Sequence, residues 1–126
     1  MKKVYIETSI GDIIDKLTIL EIKKKKISGK QSLAQINKEY LSLKNTLKKN
    51  IKIDNKIKKL WKNLFLTNLN IWEMENLKRE AQKHLEKIIK THAKVYKSND
   101  DRAKIKLKIN TLTGSNIREV KKYSKY

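Results

Sequence analysis

The sequence lacks cysteine and proline altogether and has only three glycines in 126 residues. Without cysteine the chain can form no disulfide, thiolate metal site or cysteine nucleophile, which fits a reducing cytoplasm. With so few turn-forming residues, long helices are favoured over a β-sandwich. No apolar run approaches the roughly 20 residues of a membrane span, and the N-terminus lacks the apolar core of a signal peptide. We therefore expect a soluble, cytoplasmic protein without a membrane partner, folded as one helical domain over residues 1–126.

Lysine is the residue present in excess. Lys and Arg number 32 against 13 acidic residues, so the formal net charge is +19, and only Arg79, Arg102 and Arg118 are arginines. Such a charge ordinarily indicates a nucleic acid or an anionic membrane surface as partner. Dedicated phosphate readers, however, favour the arginine fork, and an AT-biased genome also enriches lysine. Nucleic-acid binding through surface lysines is therefore an alternative and not the favoured function.

Apolar residues recur at intervals of three and four along the first half of the chain, the spacing of amphipathic helices. The pattern predicts a first helix over about residues 9–27, capped by Thr8 or Ser9 and followed by Gly29. A second helix carries the 3/4 spacing of a coiled-coil seam between Leu33 and Leu47. The two helices should form an antiparallel hairpin.

The second half of the chain predicts two further helices. Asp54 can cap a third helix, and a turn is expected within residues 80–84, although Ser98 opens a competing cap signal. The fourth helix ends at Gly114. We predict an all-α fold, either an antiparallel four-helix bundle or two packed helical hairpins, with a short extended N-terminus and a partly ordered C-terminal tail.

Polar residues interrupt the apolar faces of these helices. Glu21 falls on the apolar face of the first helix, and Arg79 and Arg102 fall on the core-facing stripes of the third and fourth. Because lysine is the default cation here, arginine at these positions indicates bidentate contact with a carboxylate or an anion, with Glu21 and Glu75 as the expected internal partners. The favoured interpretation is a buried network that fixes helix register. The alternative is an anion pocket within the bundle.

Signals for metals, nucleotides and hydrolytic chemistry are missing. His84 and His92 lie two turns apart, too far to share one metal ion. No HExxH, GxxxxGK, GxGxxG or GxSxG occurs. The two tryptophans fall on an apolar stripe and are expected in the core. We therefore expect no metal and no cofactor, and the sequence names no reaction.

Four stretches, "IGDIIDKLTILEIK", "IWEMENLKR", "VYKSNDDRAKIKLKIN" and "GSNIREVKKY", resemble a family of small bacterial proteins known as a domain of unknown function. The resemblance covers nearly the whole chain, and its most specific parts are DKLTIL at residues 15–20 and ND-x-RA at residues 99–103. It implies a compact all-helical protein without an assigned activity. The resemblance selects these residues: Asp15, Lys16, Thr18, Glu21, Trp72, Glu75, Arg79, Tyr96, Asn99, Asp100, Arg102, Asn110 and Ser115.

The helical projection and the resemblance together define one set of candidate ligand-binding residues. Its members are Asp15, Lys16, Glu21, Glu75, Arg79, Asn99, Arg102 and Lys106. We expect a binding or assembly module that recognises a small anionic ligand or an acidic protein partner. An enzyme is the alternative, with the arginines and Lys106 holding an anionic substrate while Glu21 or Glu75 acts in acid/base catalysis. A homodimer is a further expectation, because an exposed seam on either hairpin could pair with a second copy.

Overall fold

The computed structural model describes residues 2–80 and 84–117. Its four α-helices are α1 (Ile10–Lys26), α2 (Lys30–Asn50), α3 (Asn55–Glu80) and α4 (Leu85–Thr113). These ranges contain no strand, and the predicted all-α class is confirmed. No helix in the described ranges is long and apolar enough to cross a membrane.

The helix ends follow the capping signals in the sequence. Ser9 Oγ accepts a hydrogen bond from the Asp12 amide at 3.1 Å, and Asp54 Oδ1 accepts one from the Ile57 amide at 2.9 Å. Gly114 ends α4 in the left-handed conformation, with φ of 65°, which a residue without Cβ adopts at no steric cost. The competing cap signal at Ser98 is wrong, because Ser98 lies inside α4. The tail prediction beyond residue 117 and the turn residues 81–83 lie outside the described residues.

The first helix lies at the centre of the fold. Within the described residues the backbone of α1 approaches all three other helices closely, that of α3 also approaches α4, and that of α2 approaches α1 alone. The molecule is therefore two helical hairpins joined through α1. The core that unites them is made of aliphatic side chains: Ile13, Ile14, Leu17, Leu47, Ile57, Leu60, Leu64 and Ile109.

The N-terminus of α1 is capped by one residue in the last turn of α4 and one residue just after that helix. The Ile10 amide donates to Ser115 Oγ at 3.0 Å, and the Gly11 amide donates to Asn110 Oδ1 at 2.7 Å. The first amides of a helix have no partner within the helix, so these bonds satisfy donors that burial would otherwise leave open. They also fix α1 and α4 in antiparallel register.

The two helices approach so closely at Gly11 that no side chain fits there. A Cβ at Gly11 would lie 2.6 Å from Asn110 Oδ1 and 2.8 Å from the backbone oxygen of Lys106. Glycine is therefore required by the packing of α1 on α4, although it is a poor helix former.

The segment before α1, residues 2–8, lies outside the helices and on the surface. Val4, Tyr5 and Ile6 are 83%, 84% and 83% exposed. The segment is held at its end nearest the bundle, where Asn116 Nδ2 donates to Glu7 Oε1. The predicted non-helical N-terminus is thus present, with three consecutive apolar side chains in solvent.

Candidate functional site

An ion pair between a buried carboxylate and a half-buried guanidinium group joins α1 to α4. Arg102 donates from Nε to Asp15 Oδ1 at 2.8 Å and from Nη2 to Asp15 Oδ2. The Asp15 side chain is 5% exposed and that of Arg102 is 30% exposed. This two-point contact uses the planar fork that lysine cannot supply, which explains the arginine at this position.

Asn68 brings α3 into the same network. Its Nδ2 donates to Asp15 Oδ1 and to Thr18 Oγ1, both at 2.8 Å, while the Thr18 hydroxyl donates to the Asp15 backbone oxygen at 2.7 Å. Burial acts to raise the pKa of Asp15, but the hydrogen bonds from Arg102 and Asn68 and the charges of Arg102 and Lys106 outweigh it and lower the pKa. Asp15 is therefore an ionised, fully bonded group that ties three helices together.

A second ion pair lies one turn towards the N-terminus of α1. Lys106 Nζ donates to Asp12 Oδ1 at 3.0 Å, and the Lys106 side chain is 12% exposed. This ion pair lies between the Asp15–Arg102 contact and the Gly11–Asn110 contact, so polar contacts between α1 and α4 follow one another along both helices. Both predicted cations on α4, Arg102 and Lys106, thus face carboxylates of α1.

The structure divides the predicted set of site residues. Asp15, Arg102 and Lys106 lie together. The expected pairing of Arg102 with Glu21 or Glu75 is wrong, because the Arg102 guanidinium group donates to both carboxylate oxygens of Asp15. The placement of Arg79 on a core-facing stripe is also wrong, since Arg79 is exposed near the end of α3.

Three further candidates lie outside the Asp15 network. Lys16 is exposed on α1, while Glu75 and Asn99 are half-buried. Among the described residues no hydrogen bond connects any of these three side chains to Asp15. The helical projection placed Glu75 and Asn99 on the apolar stripes of their helices and the resemblance selected Lys16, but neither could place these residues against one another.

Glu21 lies in a separate site, a groove between α2 and α3 with α1 as its floor. Trp61 Nε1 donates to Glu21 Oε1 at 2.9 Å, and the Tyr40 hydroxyl donates to the same oxygen at 3.3 Å. Burial, followed by the charge of Glu21 and this hydrogen bond, raises the pKa of Tyr40. Trp61 is only half-buried, so it packs against the core and also lines the groove.

The rim of this groove is formed by lysines from three helices. The cavity has a volume of about 580 Å³, and we call it the lysine groove. It is lined by Glu21, Lys24, Lys25, Lys44, Ile53, Lys58, Trp61, Lys62 and Phe65. Five lysine side chains and one carboxylate therefore line the groove, and that carboxylate accepts hydrogen bonds from two aromatic side chains.

Aromatic rings hold several of these ammonium groups. Lys24 Nζ lies 3.8 Å from the centroid of the Tyr40 ring, and Lys44 Nζ lies 4.7 Å from that of Trp61. Lys25 Nζ lies 5.1 Å from the centroid of Phe65. Cation–π attraction of this kind restricts the positions of flexible lysine side chains, so the rim is partly ordered without a ligand.

One sequence feature pointed to the lysine groove, namely the acidic Glu21 on an apolar helix face. The lysines themselves carried none, because a lysine run such as residues 23–26 ordinarily faces solvent. The described residues contain no group of three or more His, Asp or Glu side chains arranged to hold a metal ion.

Comparison with known proteins identifies the family. A family model described as "Family of unknown function (DUF6165)" matches residues 2–126. The chain belongs to that family. The DUF6165 match confirms the resemblance found in the sequence, and it assigns no activity. Neither the curated proteins nor the solved structures gave a match.

The positions selected by the resemblance have different places in this DUF6165 chain. Five of them bond α1 to α3 or α4, or hold α1 locally: Asp15, Thr18, Arg102, Asn110 and Ser115. Glu21 instead anchors the lysine groove. The motif DKLTIL therefore supplies two of the side chains, Asp15 and Thr18, that form hydrogen bonds between α1 and its neighbouring helices.

Proposed function

We propose that the protein is a binding module whose lysine groove takes a small ligand bearing two or more phosphate groups. The observation that carries this proposal is the convergence of five lysines from α1, α2 and α3 on one concave surface that Trp61 and Phe65 also line. The sequence predicted that residues around Arg102 recognise a small anion, whereas we propose that the lysine groove does so.

Charge supports an anionic occupant. Five ammonium groups with a single carboxylate among them repel one another, and a concave surface of low dielectric strengthens their combined field. A polyanion bound there would offset this repulsion. The cavity volume of about 580 Å³ also lies within the usual range for small-molecule sites.

The type of cation suits an occupant whose anionic oxygens vary in position. Lysine presents a compact point charge with rotatable donors, whereas the planar fork of arginine matches a single carboxylate or phosphate group in a fixed two-point geometry. Lysine is an established phosphate binder in this role. A groove lined by lysine without arginine therefore suits phosphate oxygens whose positions vary, as in a triphosphate chain.

The Asp15 network is a weaker candidate for the same function. Both donors that Arg102 directs at Asp15 are already engaged, and Lys106 is paired with Asp12. A ligand or substrate at that place would have to displace a buried carboxylate, which is costly. The enzyme alternative built on Arg102 and Lys106 meets the same obstacle.

Binding can be measured by thermal shift and by tryptophan fluorescence with inorganic tripolyphosphate and a nucleoside triphosphate. In a Trp72→Phe background the remaining indole is Trp61, which lines the groove, so its emission reports occupancy directly. We expect saturable stabilisation and a change in Trp61 emission, since a ligand that binds the native state raises its stability. Orthophosphate, with a single phosphate group, should be much weaker.

Matched lysine variants locate the site. Lys44→Gln and Lys62→Gln remove one groove charge each and should weaken tripolyphosphate binding by about tenfold, whereas Lys16→Gln removes an exposed lysine outside the groove. Equal weakening by all three variants would contradict the proposal and indicate unspecific attraction to the net charge. Binding of oligonucleotides alone, with a steep salt dependence, would favour nucleic acid instead. The cytoplasmic location stays a prediction.

A further inference from the structure

The N-terminal segment, residues 2–8, has the composition of a β-strand but no strand partner. Its sequence KKVYIET contains two β-branched aliphatic residues, a tyrosine and a threonine, which are residues enriched in strands. Val4, Tyr5 and Ile6 are each more than 80% exposed. Within the described residues no backbone hydrogen bond involves this segment. Its row of open amides and carbonyls is available for pairing with another chain.

The segment is complementary to itself when two copies run antiparallel. With Tyr5 opposite Tyr5 of the second copy, Lys3 lies opposite Glu7 and Val4 lies opposite Ile6. Residues directly opposite one another are the pairs that stabilise a sheet, and opposite charges and aromatic pairs are both favourable. Two-fold symmetry makes each of the Lys3–Glu7 and Val4–Ile6 pairs occur twice.

This register matches charge and apolar character at every pair from Lys3 to Glu7. A slip of one residue in one direction keeps a charge pair between Lys2 and Glu7 but places Lys3 opposite Ile6, and a slip in the other places Val4 opposite Glu7. Each slip also moves the side chains to the wrong face of the ribbon, because they alternate along a strand. The pairing is therefore specified by the sequence and is not a general property of an exposed apolar segment.

Neighbouring surface can support such a ribbon. A two-stranded ribbon alone is marginal in water and needs an apolar surface to pack on. Val4 and Ile6 share one face of the strand, and the segment leaves the bundle beside Asn116, close in sequence to the exposed Leu112 and Ile117. We infer that two copies of this chain associate by antiparallel pairing of residues 2–8, centred on Tyr5.

Cysteine cross-linking tests the register, because the chain contains no cysteine of its own. In the predicted ribbon Tyr5 lies opposite its own copy, so Tyr5→Cys should form an intermolecular disulfide under mild oxidation. Val4→Cys should cross-link at least tenfold more slowly by itself, but readily when mixed with Ile6→Cys. Equal rates for Tyr5→Cys and Val4→Cys would overturn the inference.

Charge exchange gives an independent test by analytical ultracentrifugation. Lys3→Glu and Glu7→Lys each turn two attractive pairs into two repulsive pairs, so each variant alone should dimerise about 10- to 100-fold more weakly than the wild type. An equimolar mixture of the two variants restores both pairs and should form a heterodimer. The double variant carrying both changes in one chain should dimerise like the wild type.

Two results would refute the inference. One is a wild-type protein that stays monomeric at every accessible concentration, and the other is a mixture of the two charge variants that does not associate. Circular dichroism of each variant controls for folding, since Glu7→Lys also removes the bond from Asn116. The inference goes beyond the proposed function, because residues 2–8 are not among those that line the lysine groove.

Discussion

Replacing Gly11 by alanine should destabilise the protein, although alanine is the better helix former. Gly11 is the second residue of α1, and its missing Cβ lets α4 approach. An added Cβ would lie 2.8 Å from the backbone oxygen of Lys106, which cannot rotate away, and 2.6 Å from Asn110 Oδ1. The two helices must then separate.

The expected change in the free energy of unfolding combines two destabilising contributions and one stabilising contribution. Overpacking of a tight contact costs about 1–3 kcal/mol, and loss of the 2.7 Å bond from the buried Gly11 amide to Asn110 costs about 1–3 kcal/mol. Helix propensity returns up to about 1 kcal/mol. We expect a net loss of about 1–5 kcal/mol in the free energy of unfolding, and each kcal/mol corresponds to a fall of about 4 °C in Tm for a chain of this size.

Urea unfolding followed by circular dichroism measures this change. Lys16→Ala, on the exposed side of the same helix, is the matched control and should alter stability by less than about 0.5 kcal/mol. The double variant Gly11→Ala/Asn110→Ala removes the movable obstacle but keeps the Lys106 carbonyl, so it should remain destabilised. A Gly11→Ala protein as stable as the wild type, or more stable, would show that α1 and α4 leave room for a Cβ at position 11.

Three further outcomes are expected from the polar contacts. The pKa of Asp15 is lower in the folded protein than its unfolded value of about 3.9, so ionised Asp15 stabilises the fold above that pH, and this stabilisation is lost as the pH falls through the folded pKa. In urea unfolding at neutral pH, the wild type should therefore be about 3 kcal/mol more stable than Asp15→Asn. This difference in the free energy of unfolding should shrink in acid. Arg102→Lys should cost about 1–2 kcal/mol in the same assay, because one ammonium cannot reproduce both bonds to Asp15, and a neutral effect would refute the role of the fork. Trp61→Phe replaces the indole by a smaller aromatic ring without the donor to Glu21, so it should cost about 1 kcal/mol, whereas Trp72→Phe serves as the comparison.

Local signals in the sequence predicted the elements of the fold well. Ser9, Asp54 and Gly114 act at helix ends as predicted, because a cap depends on residues within one turn. The apolar stripe of α1 is buried for the same reason, since periodicity alone decides which face is apolar.

Contacts between helices were predicted less well. Periodicity gives the face of a residue but not its height relative to another helix, so Arg102 was expected to pair with Glu21 or Glu75 and instead bonds Asp15. Arg79 has the phase of a core residue but lies in solvent. The lysine groove was missed since its members come from three helices and each resembles a solvated lysine on its own.

The caps on α1 link folding to the order in which the chain is synthesised. The amides of Ile10 and Gly11 are synthesised before their partners Ser115 and Asn110, which follow 105 and 99 residues later. Contacts of such long sequence separation form slowly, because closing a long loop costs conformational entropy before the contact stabilises the fold. On the ribosome, α1 therefore carries open donors at its start until the last turn of α4 has emerged, and a nascent chain that stops before Asn110 lacks both acceptors.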